Sequence, residues 1–515
     1  RLTDGGKETN WLGEWSTDGR FLSIISNRGH PDRMDAFLIA LESGRMDLLA
    51  ELAASGSVDG MSRDGARVVI SRLHHLGEND LSLLELPSRK ETLLTPHQPP
   101  ASFSGAISPD GATVYVRTDK GRDLAAFARI PIDAAGSPGP MEVLAERADG
   151  ELYTFVLNHA GDEAVLHWTV AGRDELSYIS LPSGKQRPGP TLPAEIADNV
   201  TYSNDDRTLA ASVFGSTSPS DVWSWDRSGG RLRQLTVSPH PGVDLSRLVQ
   251  PKLVHYRAHD GLMLSGWLYR PPSVKGPAPY VLSFHGGPEG QELPSFRADY
   301  QALLLQGIGV FAPNVRGSGG FGKKFINLDN GALRFAAIAD IKASADYLLA
   351  QGLAQPGRLG VMGASYGGYM VMAGLTEYPD LFRAGVDLYG IVNFATFFAH
   401  TEPSMVALKA VEYGDPVKQA DLLARLSPIY KVDRIKAALM VQHGANDTNV
   451  PVGEAEQIVK AMEARGVPVE YLSFPDEGHG WKKANNRVRS IKSTAAFFRR
   501  HLLDKSEPLA PRASR

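Results

Sequence analysis

The stretch VMGASYGGYM, residues 361–370, decides the fold of the second half of the chain. It places Ser365 between Gly363 and Gly367, after the strand formers RLGVM and before a helix-forming run. Small residues at the two flanking positions let the backbone turn sharply from a strand into a helix, which leaves the serine hydroxyl exposed above a sheet. The stretch therefore predicts a nucleophilic serine at the edge of a parallel sheet.

A serine hydroxyl is a weak nucleophile unless a base activates it, and two later loops supply candidates. The strand at 438–444 is followed by Asp447, and the strand at 469–474 is followed by His479. The carboxyl ends of parallel strands face one crevice, and the order Ser, Asp, His is that of the α/β-hydrolases. We predict that His479 is the base and that Asp447 orients it. Taken singly, Asp447 could cap a turn and His479 could be an ordinary loop histidine.

Acyl transfer also needs hydrogen-bond donors for the developing oxyanion. The backbone N–H of Tyr366 follows the nucleophile at a helix N-terminus, where the helix dipole favours negative charge. HGGP, residues 285–288, follows the first long apolar strand, and Gly287 has no side chain to keep its N–H away from a substrate. We predict that Gly287 and Tyr366 form the oxyanion hole.

The sequence around these motifs predicts a doubly wound, mostly parallel sheet in an α/β-hydrolase domain over residues 246–503. Continuous apolar runs alternate with helical segments, as in strands that are buried on both faces. The predicted strands are 280–286, 308–314, 358–363, 438–444 and 469–474.

The first half of the chain carries a weak repeat, for example ISPDGATVYVRT at 107–118. A turn built on Asp, Gly or Asn precedes an alternating apolar strand, and the period is in the forties, which is typical of β-propeller blades. The turns lie at Asp18, Asp64, Asp110, Gly161 and Asp205. We predict a propeller of five to six blades over 1–245, with a β-sandwich as the alternative. Because that is short for seven blades, we expect either a smaller ring or a blade missing before Arg1.

Composition excludes several functional classes. The chain has 515 residues, 42% of them hydrophobic and 22% charged, which is typical of a soluble globular protein of two or more domains. A formal charge of −4 gives no sign of a nucleic-acid or membrane partner, and zero cysteines exclude disulfides and thiolate sites. The polar start has no signal-peptide core and no initiator Met, so we expect a trimmed chain with a cytoplasmic rather than a secreted or periplasmic location. We expect residues 504–515 to form a flexible tail.

Two other motifs have competing interpretations, and we reject both. GSGGFGKK at 317–324 matches a phosphate loop up to Lys323, but Lys324 stands where Ser or Thr would hold magnesium. His443 and Asp447 lack a third ligand at metal-binding spacing. We predict no cofactor and no metal.

The motifs together resemble the prolyl oligopeptidase family of serine peptidases, and its acylaminoacyl-peptidase-like branch in particular. They are HGGP, NVRGSGGFG (314–322), GASYGGY, GDP (414–416), LSPIYKVDRIKAALMVQHGANDTNVP (426–451) and VPVEYLSFPDEGHGW (467–481). The resemblance covers residues 250–503 densely. It implies a propeller capping the hydrolase domain, with the active site in the cavity between them. The family's nucleophile, acid and base fall on Ser365, Asp447 and His479, and its oxyanion donors on Gly287 and Tyr366.

Gly331-Ala332 replaces the Trp-Gly that the family often has before the helix predicted at 338–349. Substrate-anchoring residues are harder to assign than the triad. Glu289 and Arg316 lie near the predicted crevice and are candidates. Arg316 could equally be a structural ion-pair partner, and Glu289 a solvated loop charge.

We therefore predict a serine peptidase that acts on short peptides through an acyl-enzyme, as an exopeptidase or an acylaminoacyl-peptidase-like oligopeptidase. The alternatives are an esterase on the same triad or carboxypeptidase-type cleavage. A more remote alternative is a propeller interaction scaffold with an inactive hydrolase domain. A homo-oligomer is compatible with the sequence, which does not determine the oligomeric state.

Overall fold

The structure, a computed structural model, describes residues 2–3, 8–30, 33–52, 55–228 and 232–504. Apart from Asp504, the predicted tail from 504 to 515 lies outside the described residues. Among the described helices, none is long and apolar enough to cross a membrane.

Over its described residues, the first half forms five four-stranded antiparallel sheets, which confirms the β-propeller prediction. Each sheet uses four consecutive strands, as in propeller blades. The strands are β1 Asn10–Trp15, β2 Phe21–Ser26, β3 Asp35–Ala40, β4 Arg45–Ala50, β5 Ser55–Met61, β6 Arg67–His75, β7 Glu78–Glu85, β8 Glu91–Leu93, β9 Phe103–Ile107, β10 Thr113–Thr118, β11 Ala126–Pro131, β12 Glu142–Ala145, β13 Gly150–Leu157, β14 Glu163–Val170, β15 Arg173–Ser180, β16 Gln186–Pro188, β17 Ile196–Tyr202, β18 Thr208–Gly215, β19 Ser218–Asp226 and β20 Arg233–Gln234.

The repeated turns all lie in the same place, between the first and second strands of a blade. In four of the five, a serine hydroxyl donates to the aspartate two residues later, at 2.5 to 2.8 Å, and the same carboxylate accepts a backbone N–H two residues further on. These bonds close the turn locally, as expected for an Asx turn. The sequence repeat therefore arises because each blade contains the same kind of hairpin turn between its first and second strands.

The first strands of the first four blades surround a cavity of about 740 Å³. Neighbouring blades pack against each other through apolar side chains. Val69 and Leu81 of the second blade, for example, are buried in one cluster with Val114 and Val116 of the third. This arrangement of an inner ring of first strands is that of a propeller around a central channel.

The second half builds one eight-stranded sheet in the order β21-β22-β24-β23-β25-β26-β27-β28. Strand β22 pairs antiparallel with both of its neighbours, β21 and β24. All the other pairs in the sheet are parallel. The strands are β21 Lys252–Arg257, β22 Met263–Tyr269, β23 Ala278–Phe284, β24 Gly309–Asn314, β25 Ala354–Ala364, β26 Ala384–Leu388, β27 Ala438–Gly444 and β28 Val469–Phe474. Every residue of β23 and β27 is buried, which explains their continuous apolar runs.

Nine α-helices are described over the second half, and helices pack on both faces of the sheet, which confirms the α/β-hydrolase prediction. They are α1 Ala298–Leu305, α2 Lys323–Ile326, α3 Arg334–Ala350, α4 Tyr366–Glu377, α5 Phe394–His400, α6 Pro403–Tyr413, α7 Ala420–Leu426, α8 Gly453–Ala464 and α9 Ala484–Phe498. The predicted boundary at 245/246 falls in the connection between β20 and β21 and stays a prediction.

The propeller contacts the hydrolase domain close to the carboxyl edge of the sheet. Helix α6 packs against strand β6 of the second blade. The Lys323 ammonium donates to the backbone carbonyls of Pro100 and Asp119, at 3.0 and 2.9 Å. Lys323, in the stretch that resembles a phosphate loop, therefore makes a contact between the two domains.

Arg316 joins two elements of the hydrolase domain through ion pairs. Its guanidinium donates to Asp260, in the turn between β21 and β22, and to Asp340 of α3, at 2.8 to 3.0 Å. The side chains of Arg316 and Asp340 are 5% and 0% exposed. A buried carboxylate that keeps its charge needs such a partner.

We expect Arg316→Met to destabilise the hydrolase domain by about 3–5 kcal/mol, because it leaves the Asp340 carboxylate buried without its cation. Urea unfolding followed by circular dichroism would measure the change. The matched control is Lys342→Met on the same helix, where the exposed pair with Asp346 should contribute little. Equal stability of the two variants would contradict a structural role for Arg316.

Candidate active site

Ser365 lies on a sharp turn between strand β25 and helix α4. Its backbone has φ 57° and ψ −119°, a conformation that few residues other than glycine adopt. The flanking glycines are required by space: a Cβ on Gly363 would lie 2.3 Å from the Gly367 carbonyl oxygen, and a Cβ on Gly367 would lie 2.0 Å from that of Phe284. The G-x-S-x-G spacing is thus the sequence that this turn can accept.

The structure brings together the three side chains that the sequence singled out. The Nε2 atom of His479 lies 3.1 Å from the Ser365 hydroxyl oxygen, and its Nδ1 atom lies 2.7 Å from Asp447 Oδ2. Since a carboxylate only accepts hydrogen bonds, Nδ1 carries the donated proton and the neutral ring leaves Nε2 free to accept one. The geometry is that of a proton relay from Ser365 to His479, oriented by Asp447.

Asp447 is held as a carboxylate by its surroundings. Its side chain is fully buried, which opposes ionisation. Interactions with His443 and His479 and the backbone N–H of Val450 outweigh burial and lower the pKa of Asp447 to about 2. The group that orients the imidazole is therefore charged throughout the neutral pH range.

Tyr389 packs against the imidazole of His479, and no sequence motif pointed to it. Its ring meets His479 edge-on with centroids 4.9 Å apart, and Trp481 with centroids 5.3 Å apart. Tyr389 follows the end of β26 and has φ 43°. No motif marks it, because a lone tyrosine after a strand is equally typical of a packed core.

The HGGP loop lies directly beside the nucleophile. A Cβ on Gly286 would lie 3.4 Å from the Cβ of Ser365. The Nδ1 atom of His285 donates to the Gly286 carbonyl at 2.8 Å, so the N–H of Gly287, in the same trans peptide, projects the opposite way. The first N–H groups of α4, beginning with Tyr366, have no partner within the helix. Gly287 lines the same pocket as Ser365, and Tyr366 follows Ser365 directly, so both residues predicted to supply oxyanion donors lie close to the nucleophile.

A pocket of about 360 Å³ opens at this point. Its walls combine aliphatic and aromatic side chains, two of them tyrosines, with the nucleophile, the base, Lys409 and Asn449. The lining residues are Gly286, Gly287, Ala364, Ser365, Tyr389, Ile391, Phe397, Lys409, Tyr413, Asn449, Val450 and His479. Aromatic and aliphatic walls of this kind can bury an apolar group.

The two candidate anchoring residues differ in their surroundings. Arg316 belongs to the ion pairs with Asp260 and Asp340 and does not line this pocket. Glu289 is partly buried behind the HGGP loop, where a Cβ on Gly77 of the second blade would lie 3.8 Å from its Oε1 atom. Glu289 therefore faces the boundary between the domains and is not a freely solvated charge.

Glu289 belongs to a buried cluster of charges. Arg334, which is fully buried, donates to Asp329 and, at 2.9 Å, to Glu412. Burial and the neighbouring Glu412 carboxylate raise the pKa of Glu289. Among the described residues, no group of three His, Cys, Asp or Glu side chains could hold a metal ion.

We expect the raised pKa of Glu289 to make the folded state less stable as the pH rises. Between the ordinary glutamate pKa and the raised value, the folded state keeps a proton that the unfolded state releases, so unfolding becomes easier with increasing pH. Glu289→Gln resembles the protonated form and should lose that dependence. Its melting temperature relative to wild type should therefore increase from pH 5 to pH 9.

The control for this prediction is Glu146→Gln, at a glutamate whose side chain is 65% exposed. It removes a carboxylate outside the buried cluster, so its melting-temperature difference from wild type should vary less with pH than that of Glu289→Gln. A constant difference between Glu289→Gln and wild type would show that Glu289 titrates normally.

Comparison with known proteins adds a family and a fold. Residues 294–505 match the prolyl oligopeptidase family. The chain is 32% identical over 431 residues to dipeptidyl aminopeptidase BIII of Pseudoxanthomonas mexicana, which covers 79% of this chain and 60% of that protein. It is 27% identical over 232 residues to the acylamino-acid-releasing enzyme of Arabidopsis thaliana, covering 43% of this chain and 30% of that protein.

Among solved structures, a puromycin-hydrolysing peptidase of Mycobacterium tuberculosis matches with a TM-score of 0.82 and 21% identity, over 97% of this chain and 79% of that one. That likeness shows the fold of both halves. The chain spans 60% or less of the length of both curated relatives described above.

Proposed function

This chain belongs to the prolyl oligopeptidase family, and from that premise we propose that it is a serine peptidase cleaving short peptides through an acyl-enzyme. The observation that carries the proposal is the relay from Ser365 through His479 to Asp447, with separations of 3.1 and 2.7 Å. Neither a cofactor nor a metal is needed for this chemistry.

Each residue of the site has one step in the proposed reaction. The Ser365 oxygen attacks the peptide carbonyl carbon while Nε2 of His479 takes the hydroxyl proton. The carbonyl oxygen becomes an oxyanion that accepts hydrogen bonds from the N–H groups of Gly287 and Tyr366. The imidazolium, stabilised by the Asp447 carboxylate, then protonates the departing amine, and the acyl-serine remains. Water attacks the acyl-serine by the same route and regenerates the hydroxyl.

The position of the propeller supports a preference for short substrates. Its second blade contacts helix α6, which carries Lys409 of the pocket wall, and approaches Glu289 behind the HGGP loop. An extended oligopeptide can enter a cleft between two domains more readily than a folded protein can. We infer that substrates are oligopeptides and that the residue before the cleaved bond is apolar.

The cleavage mode that we propose is removal of short fragments from the amino end. The two curated relatives that support it are, by their names, a dipeptidyl aminopeptidase and an acylamino-acid-releasing enzyme. A cytoplasmic location and a homo-oligomeric state stay predictions from the sequence.

The first test concerns the nucleophile. A fluorophosphonate probe reacts with an activated serine, so wild-type protein should be labelled and Ser365→Ala should lose the label completely. Ser183→Ala, at an exposed serine of the propeller, should be labelled like wild type. A folded wild-type protein that never reacts would favour the scaffold alternative.

The second test concerns the substrate. Incubation with a peptide library, read by mass spectrometry, should show release of one or two residues from the amino end with apolar residues before the cleaved bond. Free and N-acetylated versions of the same peptides distinguish dipeptide release from acylamino-acid release. Cleavage at carboxyl ends or at internal bonds would contradict the proposed mode, and turnover of p-nitrophenyl esters without p-nitroanilides would favour an esterase.

A further inference from the structure

Lys409 makes a contact with the HGGP loop that the proposed reaction does not yet use. Its ammonium nitrogen lies 3.1 Å from the Gly287 carbonyl oxygen, to which it donates. The same side chain lines the pocket beside Ser365 and His479. Lys409 therefore touches the loop at the residue whose N–H is a proposed oxyanion donor.

The loop contains two consecutive glycines, whose backbone is less restricted than that of other residues, so contacts from outside the loop can position it. Gly287 has φ 134°, which is strained for any residue with a side chain, so glycine is required here. A glycine backbone is also more flexible than that of other residues. The peptide before Gly287 is held by the bond from His285 to the Gly286 carbonyl. The peptide after Gly287 is held by Lys409. The N–H of Gly287 lies between these two tethers.

The surroundings of Lys409 favour a positioning role over the binding of a substrate anion. Burial lowers the pKa of Lys409, and Glu412 and Glu289 behind the loop only partly oppose that shift. The Lys409 nitrogen also lies 6.0 Å from the centre of the Tyr413 ring. The ammonium group is thus held against the loop by a backbone acceptor at 3.1 Å, which fixes its hydrogen-bond geometry.

Helix α6 adds a connection to the other domain. It carries Lys409 and Glu412, and it packs against strand β6 of the second blade. Lys409, which contacts the HGGP loop, therefore lies on a helix that is itself in contact with the propeller.

We propose that Lys409 is a positioning residue that fixes the Gly287 peptide and so aims its N–H at the oxyanion. This inference rests on the proposed peptidase function and names a further residue on which that function depends. The property that matters is the hydrogen bond that its ammonium donates to the Gly287 carbonyl.

The experiment compares Lys409→Met, which removes the donor at similar volume, with Lys409→Arg, which keeps a donor and the charge. Lys418→Met, at an exposed lysine shortly after α6, is the control. Lys409→Met should lower kcat by about 10- to 100-fold, less than the roughly 100- to 1000-fold cost of deleting an oxyanion donor, because the donor is displaced and not removed. KM should change by less than about threefold, since ground-state binding is not affected.

Lys409→Arg should recover kcat to within about tenfold of wild type, and Lys418→Met should equal wild type. The proposal is overturned if Lys409→Met keeps wild-type kcat, or if it raises KM alone, which would indicate substrate binding. It is also overturned if a lowered melting temperature accompanies a loss of kcat that Lys409→Arg does not recover. If the wild-type protein is labelled by the fluorophosphonate probe but cleaves no peptide, only the peptidase proposal is contradicted. The rates of labelling of the same variants then replace kcat in this comparison.

Discussion

The tight turn at Ser365 is the constraint on which the rest of the structure depends. The serine takes a backbone conformation that is unfavourable for its residue type, and it does so only because Gly363 and Gly367 leave room for the strand and helix to approach each other. That approach sets the hydroxyl 3.1 Å from His479 and brings the HGGP loop against the same residue. The positions of the proposed base and oxyanion donors relative to the nucleophile therefore depend on this turn.

Much of the architecture was predictable because it rests on local patterns. Strands β23 and β27 are buried along their whole length, so they read as continuous apolar runs. The hairpins of the blades repeat because the same serine-to-aspartate bond closes most of them. The order of Ser365, Asp447 and His479 could be interpreted because parallel strands end at one edge.

The remainder was not predictable, because it depends on single residues that meet over long distances. Arg316 finds Asp260 and Asp340, which are 56 and 24 residues away, and nothing in the sequence pairs them. Lys409 reaches Gly287 across 122 residues from the middle of a helix, where a lone lysine normally indicates a solvated face. Tyr389 supports the imidazole through ring packing, which leaves no motif. Pairings of this kind emerge only when the fold is complete.

The serine-to-aspartate bonds in the propeller have a consequence for how this half of the molecule can vary. Each is made within a few residues of its own hairpin, so a blade specifies its register without instruction from distant parts of the chain. Units of that kind interact mainly with their immediate neighbours. Duplication or deletion of a whole blade would then alter the width of the ring while leaving every sheet intact. Selection could adjust the aperture in this way as long as the second blade keeps its contact with helix α6.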